Sequence, residues 1–182
     1  MSDPIAGGSS FPIYLSFKRG GMTGDVRIRF AETGKSSDSF VATGVEHYSR
    51  RISRYVDFAV VTLPGVKGGG SLNPEEVKRR EGRQLLDLAE ERWFLVLLDE
   101  RGREFTSRDF ASHINHIALN RSRKILFASG GAWGFSDMVY ERSDMRLSLS
   151  KFTFPHQLVR VIFLEQLYRA LTIISRHPYH NE

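Results

Sequence analysis

The chain has 182 residues, of which 41% are hydrophobic and 26% charged, a composition that places it with soluble globular proteins of one domain. Its formal net charge is +5 and its pI about 9.7, which favours polyanionic partners, nucleic acid first. It has no cysteine, which excludes a disulfide framework and a thiolate metal site and suits a reducing cytoplasm.

Residues 1–21 read as an N-terminal extension, and 22–182 as a single domain. MSDPIAGGSS is polar and glycine-rich, and it lacks the basic start and long apolar run of a secretion signal. From Val26 an alternation begins: Val26, Ile28 and Phe30 against Arg27, Arg29 and Ala31, the period of a strand. Phe40 to Ile52 reads as a helix, with Val41, Val45, Tyr48 and Ile52 on one face. Val56 to Leu63 is a strand, and 64–74 is a loop by composition. A helix then opens in good order, with Asn73 as cap, Pro74 first and Glu75-Glu76 in the first turn, and runs to about Glu91.

Trp93 to Leu98 is continuously apolar, as a central parallel strand should be. Thr106 caps a helix to about Leu119, and Ile125 to Ala128 is another short buried strand. The turn SGGAWG follows, then a short helix from about Ser136 to Arg142 and a last strand from Arg146 to Leu149. Pro155 starts a long helix to about Arg176. Its stretch 158–174 is the most apolar in the chain, but Arg160, Glu165, Gln166 and Arg169 interrupt it, so it reads as a buried helix and not a membrane span. Alternating strands and helices predict an α/β fold with a parallel sheet covered on both faces. Ligands in such sheets bind at the carboxyl ends of strands, here the loops after Leu98, Ala128 and Leu149.

The glycine turn at 129–134 is not a mononucleotide P-loop, because no lysine follows Gly134. A dinucleotide site wants an acid at the end of the next strand, and that strand ends in Ser150-Lys151. A third reading makes the glycines mere punctuation of a tight turn. The extended, aromatic segment Ser150–Phe154 before Pro155 suits a flat neutral heterocycle better than a phosphate. The long helix is apolar nearly all round, so one face is expected on the sheet and another on a second subunit. His156 and Arg160, four apart, are expected together at the mouth of the site. His113-x-x-His116 and His177-x-x-His180 lack cysteines or acids at ligand spacing, so no metal is expected.

These residues carry a resemblance. TGK at 33–35, EHYSRRI at 46–52, KRREGRQLL at 78–86, LLDERGREFTS at 97–107, SGGAWGFS at 129–136, LSLSKFTFPHQLVRVIFLEQLYRA at 147–170 and PYH at 178–180 fall in order. Together they make the chain, from about Val26 to its C-terminus, similar to the ribosomal RNA large subunit methyltransferase H family. These are bacterial 23S rRNA pseudouridine N3-methyltransferases of the SPOUT (α/β-knot) superfamily.

The resemblance implies a deep C-terminal trefoil knot and S-adenosylmethionine as cofactor. It implies a cytoplasmic homodimer, and as substrate a pseudouridine in a hairpin loop of 23S rRNA within the assembled ribosome. It assigns cofactor binding to Leu98, Gly130 and Gly131, and to Leu149, Ser150, Lys151, Phe152, Thr153 and Phe154. It places Tyr179 and His180 of the tail at the substrate, with Tyr179 to stack on the base. His156, His180 and Glu165 are candidate bases. Arg160 is open to two readings, a clamp on the anionic base or a phosphate, and a structural pair with a carboxylate. Asn181 departs from the family, which has a basic residue there. That departure motivates an alternative, a non-catalytic knot-fold RNA- or ribosome-binding protein.

Overall fold

The computed structural model describes residues 26–34, 38–66, 72–89 and 92–177. The boundary between residues 21 and 22 lies outside the described residues. Strands and helices alternate: β1 (Arg27–Thr33), α1 (Ser39–Ile52), β2 (Asp57–Leu63), α2 (Pro74–Ala89), β3 (Phe94–Arg103), α3 (Ser107–Asn120), β4 (Lys124–Ser129), α4 (Asp137–Arg142), β5 (Met145–Leu147) and α5 (His156–Ile174). The strands form one five-stranded sheet in the order β2-β1-β4-β3-β5. Every pairing is parallel.

The helix starts follow from their first residues. The Asn73 side chain accepts from the backbone N–H of Glu75 at 2.9 Å, and the Thr106 hydroxyl accepts from that of Asp109 at 3.1 Å. Asp38, which the sequence reading passed over, caps α1 by accepting from Phe40 N–H at 2.8 Å. Two strand boundaries differ from expectation. β3 does not stop at Leu98. It runs on to Arg103, beyond the end of β4, and its register with β5 shifts between Leu98 and Arg103. β5 ends at Leu147, because Ser148 turns its backbone N–H onto the Arg103 carbonyl and its hydroxyl onto the Ser150 carbonyl.

Strand alternation divides the core into two layers. Ile28, Phe30, Val96, Ile125 and Phe127 face α1, α3 and α5. Ala31, Leu95, Leu97, Leu126 and Ala128 face α2 and α4. Phe163 of α5 sits between Phe30 and Phe127, with ring centroids 5.0 and 4.8 Å away. Helices α1 and α3 both pack on α5. Within one chain these neighbours and the sheet bury Phe163, Leu164, Leu167 and Leu171 of α5. Leu158 and Ile162 stay half-exposed.

Candidate active site

Parallel strands put the backbone groups of β3, β4 and β5 at one end of the sheet. A cavity of about 550 Å³ opens there, inside the range of roughly 300–1,000 Å³ typical of small-molecule sites. Three chain segments build it. Leu98 to Arg101 contribute from β3, Ser129 to Phe135 from the glycine turn apart from Ala132, and Leu147 to Phe154 from the loop after β5 apart from Lys151. These are the loops that the strand pattern had singled out.

The glycine turn is closed by Gly134 N–H on the Gly131 carbonyl at 3.0 Å. Gly134 has φ +77°, a conformation costly for any side chain. The turn leaves little room beneath itself. A Cβ on Gly130 would lie 3.1 Å from the Gly134 Cα, and one on Gly131 would lie 2.4 Å from Oε2 of Glu81. A side chain on Gly130 would press on the turn's own backbone, whereas one on Gly131 would meet the flexible end of the Glu81 side chain of α2. Burial pushes the Glu81 carboxyl above its ordinary pKa. Near it, the Ser129 and Ser136 hydroxyls are buried with no hydrogen-bond partner among the described residues.

Of the residues expected at the cofactor, Leu98, Gly130, Gly131, Leu149, Ser150, Phe152, Thr153 and Phe154 line the cavity. Lys151 does not, and its side chain is exposed. His156, at the start of α5, lines it too. Arg160 parts company with His156. It is 2% exposed, pairs with Glu32 at 3.2 Å and donates to the carbonyls of Thr33 at 2.7 Å and Gly34 at 3.2 Å. The two are four apart, but α5 carries Arg160 inward to the end of β1, away from the cavity mouth. Glu165 accepts from Arg169 at 2.7 Å and from Gln166 at 2.6 Å, the helix pair expected of it. Tyr179, His180 and Asn181 lie outside the described residues.

The basic run in α2 is mostly solvated and internally paired. Arg79 and Arg80 both bond Glu76, at 2.6 and 2.7 Å, and hold that carboxyl below its ordinary pKa. Lys78 reaches the cavity lining. His113 packs on Phe105 at 5.1 Å, and His116 contacts Asn120 at 3.2 Å. Among the described residues no group of three or more His, Cys, Asp or Glu side chains could hold a metal ion, and no helix is long and apolar enough to cross a membrane.

Sequence reasoning missed several lining residues. Trp133, in the glycine turn, lines the cavity and is 57% exposed. Asp99 and Tyr140 also line the cavity and bond one another. The signal for Asp99 was present in LLDERG, an acid directly after the last apolar residue of a strand. Tyr140 carried none, since its position in a short helix looks like ordinary packing.

Residues 26–180 match the model of a family described as "Predicted SPOUT methyltransferase". The chain belongs to the SPOUT methyltransferase family. As a SPOUT methyltransferase it takes S-adenosylmethionine as cofactor, and the residues at the strand ends fit that group. The lining combines apolar side chains, Leu98, Leu149 and Phe154 among them, with the Asp99 carboxylate. Among curated relatives, "Ribosomal RNA large subunit methyltransferase H" of Porphyromonas gingivalis is 41% identical over 86% of this chain and 100% of its own length. The proteins of that name from Parabacteroides distasonis and Cytophaga hutchinsonii are each 36% identical, again over 86% of this chain and 100% of their own length.

Proposed function

We propose that this SPOUT methyltransferase methylates 23S rRNA, at N3 of a pseudouridine in a hairpin loop of the large subunit, within the assembled ribosome. The observation that carries the reading is full-length similarity to relatives named ribosomal RNA large subunit methyltransferase H. The net charge of +5 supports an RNA partner, and such a substrate places the protein in the cytoplasm with the ribosomes.

When bound, the cofactor supplies an electrophilic methyl group on sulfur. The chain's own contribution is alignment and exclusion of water. The strand-end loops hold the adenosine, and the mouth between Trp133 and Phe152 admits an unpaired base. Exposed aromatics at a mouth suit stacking on single-stranded RNA. The acceptor is a ring imide nitrogen that reacts after losing its proton. His156, exposed at the rim, is the described residue placed to assist that loss. Tyr179 and His180 belong to the same reading as tail residues at the substrate, completed across a homodimer. Half-exposed Leu158 and Ile162 on α5 support a partner there. The return of the chain from β5, at the sheet's edge, to α5 over β1 and β4 supports the knot.

The test compares labelled methyl transfer to assembled ribosomes and to naked 23S rRNA, both from a strain lacking the modification. Ribosomes are expected to be labelled well above naked rRNA. No transfer to either returns the chain to a non-catalytic RNA-binding role.

A further inference from the structure

Asp99 stands where β3 leaves its regular pairing, one residue past Leu98. Its carboxylate is held from two sides. The Tyr140 hydroxyl donates to Oδ2 at 2.5 Å, and the backbone N–H of Arg101 donates to Oδ1 at 2.8 Å. Tyr140 is itself fixed. Its ring meets Phe135 at 5.9 Å in an edge contact, and the Arg146 guanidinium lies over it at 4.5 Å. Burial, and then the bond to Asp99, push the Tyr140 hydroxyl up to about 12, so it stays a donor across the working pH range. An ionised carboxylate offers about four acceptor positions, so Asp99 keeps a lone pair on each oxygen for a ligand. Little side-chain freedom is left to lose on binding.

The ligand group follows from the sheet. Dinucleotide-binding α/β sheets place an acid at a strand end near their glycine turn, where it takes the ribose hydroxyls. The strand after this glycine turn, β5, leads into Ser148–Lys151 and has no such acid. Strand order resolves the gap. β3 lies between β4 and β5, so the acid at the end of its regular pairing stands beside the turn that follows β4.

We infer that Asp99 accepts hydrogen bonds from the 2′- and 3′-hydroxyls of the cofactor's ribose, and that Tyr140 is the positioning residue that aims it. This rests on the cavity being the S-adenosylmethionine site.

Calorimetric titration of the full chain tests it with three probes: S-adenosylhomocysteine, its 2′,3′-dideoxy analogue, and 5′-methylthioadenosine, which keeps the ribose and lacks the amino-acid arm. The wild type is expected to bind S-adenosylhomocysteine about tenfold more tightly than the dideoxy analogue, the scale of a hydrogen bond to a charged group. Asp99→Asn is expected to bind the two alike, and to lose the same factor toward methylthioadenosine. Tyr140→Phe should raise the KM for cofactor and leave kcat at saturation unchanged. Equal binding of S-adenosylhomocysteine and the dideoxy analogue by the wild type overturns the inference, and that comparison stands even if the variants do not fold. Full discrimination retained by Asp99→Asn overturns it. So does a variant unaltered toward methylthioadenosine, which would assign Asp99 to the amino-acid arm. If the wild type binds no S-adenosylhomocysteine at all, the cofactor site itself is refuted.

Discussion

Arg160 of α5 and Glu32 of β1 form an ion pair at 3.2 Å with 2% and 7% of their side chains exposed. Glu32 also accepts from the Thr62 hydroxyl at 3.0 Å, so the pair fastens α5 to the ends of β1 and β2 together. Removing one member of a buried pair leaves a charge without compensation and costs roughly 3–5 kcal/mol. Arg160→Met is therefore expected to lower the melting temperature sharply. Arg160→Met with Glu32→Met should recover much of that loss. A single variant that melts like the wild type but fails only in catalysis would move Arg160 back to the reaction.

The glycine turn makes a second expectation. Gly134 needs its positive φ and has open space around it, so Gly134→Ala should cost about 1–2 kcal/mol through backbone strain alone. Gly130→Arg meets the turn's backbone, so it is expected to weaken S-adenosylhomocysteine binding and to destabilise the fold together. Denaturant titration beside calorimetry separates the two effects. A Gly130→Arg protein of unchanged stability that binds no ligand would contradict the close contact with Gly134.

Glu81 gives a pH-dependent expectation. Burial raises its pKa above the unfolded value, so between those two values the folded state holds more protons. Its effect on stability is favourable at low pH and is lost as pH rises through that window. Glu81→Gln, always neutral, should melt higher than the wild type at pH 8. The difference should shrink toward pH 4, near the ordinary glutamate value of about 4.3. A difference that does not change with pH would contradict this assignment.

Lys151 lies in the segment expected at the cofactor, yet it is exposed and absent from the cavity lining. Lys151→Ala should leave the Kd for S-adenosylhomocysteine within about twofold, as most surface substitutions do. Phe152→Ala, which removes an exposed ring at the mouth, should impair methyl transfer to ribosomes far more than it impairs cofactor binding.

Much of this was legible in the sequence. The alternation at Val26–Phe30, the apolar run to Leu98 and the Asn73-Pro74 start each name one element, because local patterning decides them. Order in the sheet is not local. Along the chain, the position for a ribose acid falls at Ser150-Lys151, while the sheet brings Asp99 of β3 beside the glycine turn from the side. Arg160 misled for a related reason. Spacing of four puts it near His156 on the helix, but the crossing of α5 over β1 decides that it points to Glu32. Glu81 sits among the charged residues 78–83, and only the approach of the glycine turn reveals its burial.

The proposed reaction transfers one methyl group from S-adenosylmethionine to a ring nitrogen of 23S rRNA. Mass spectrometry of nucleoside digests, made after incubating the protein and cofactor with ribosomes from a strain lacking the modification, measures it most directly. A single new species is expected, pseudouridine carrying its methyl on N3, mapped to one hairpin loop. A methyl found on a ribose hydroxyl or on another base, or no methyl at all, would contradict it.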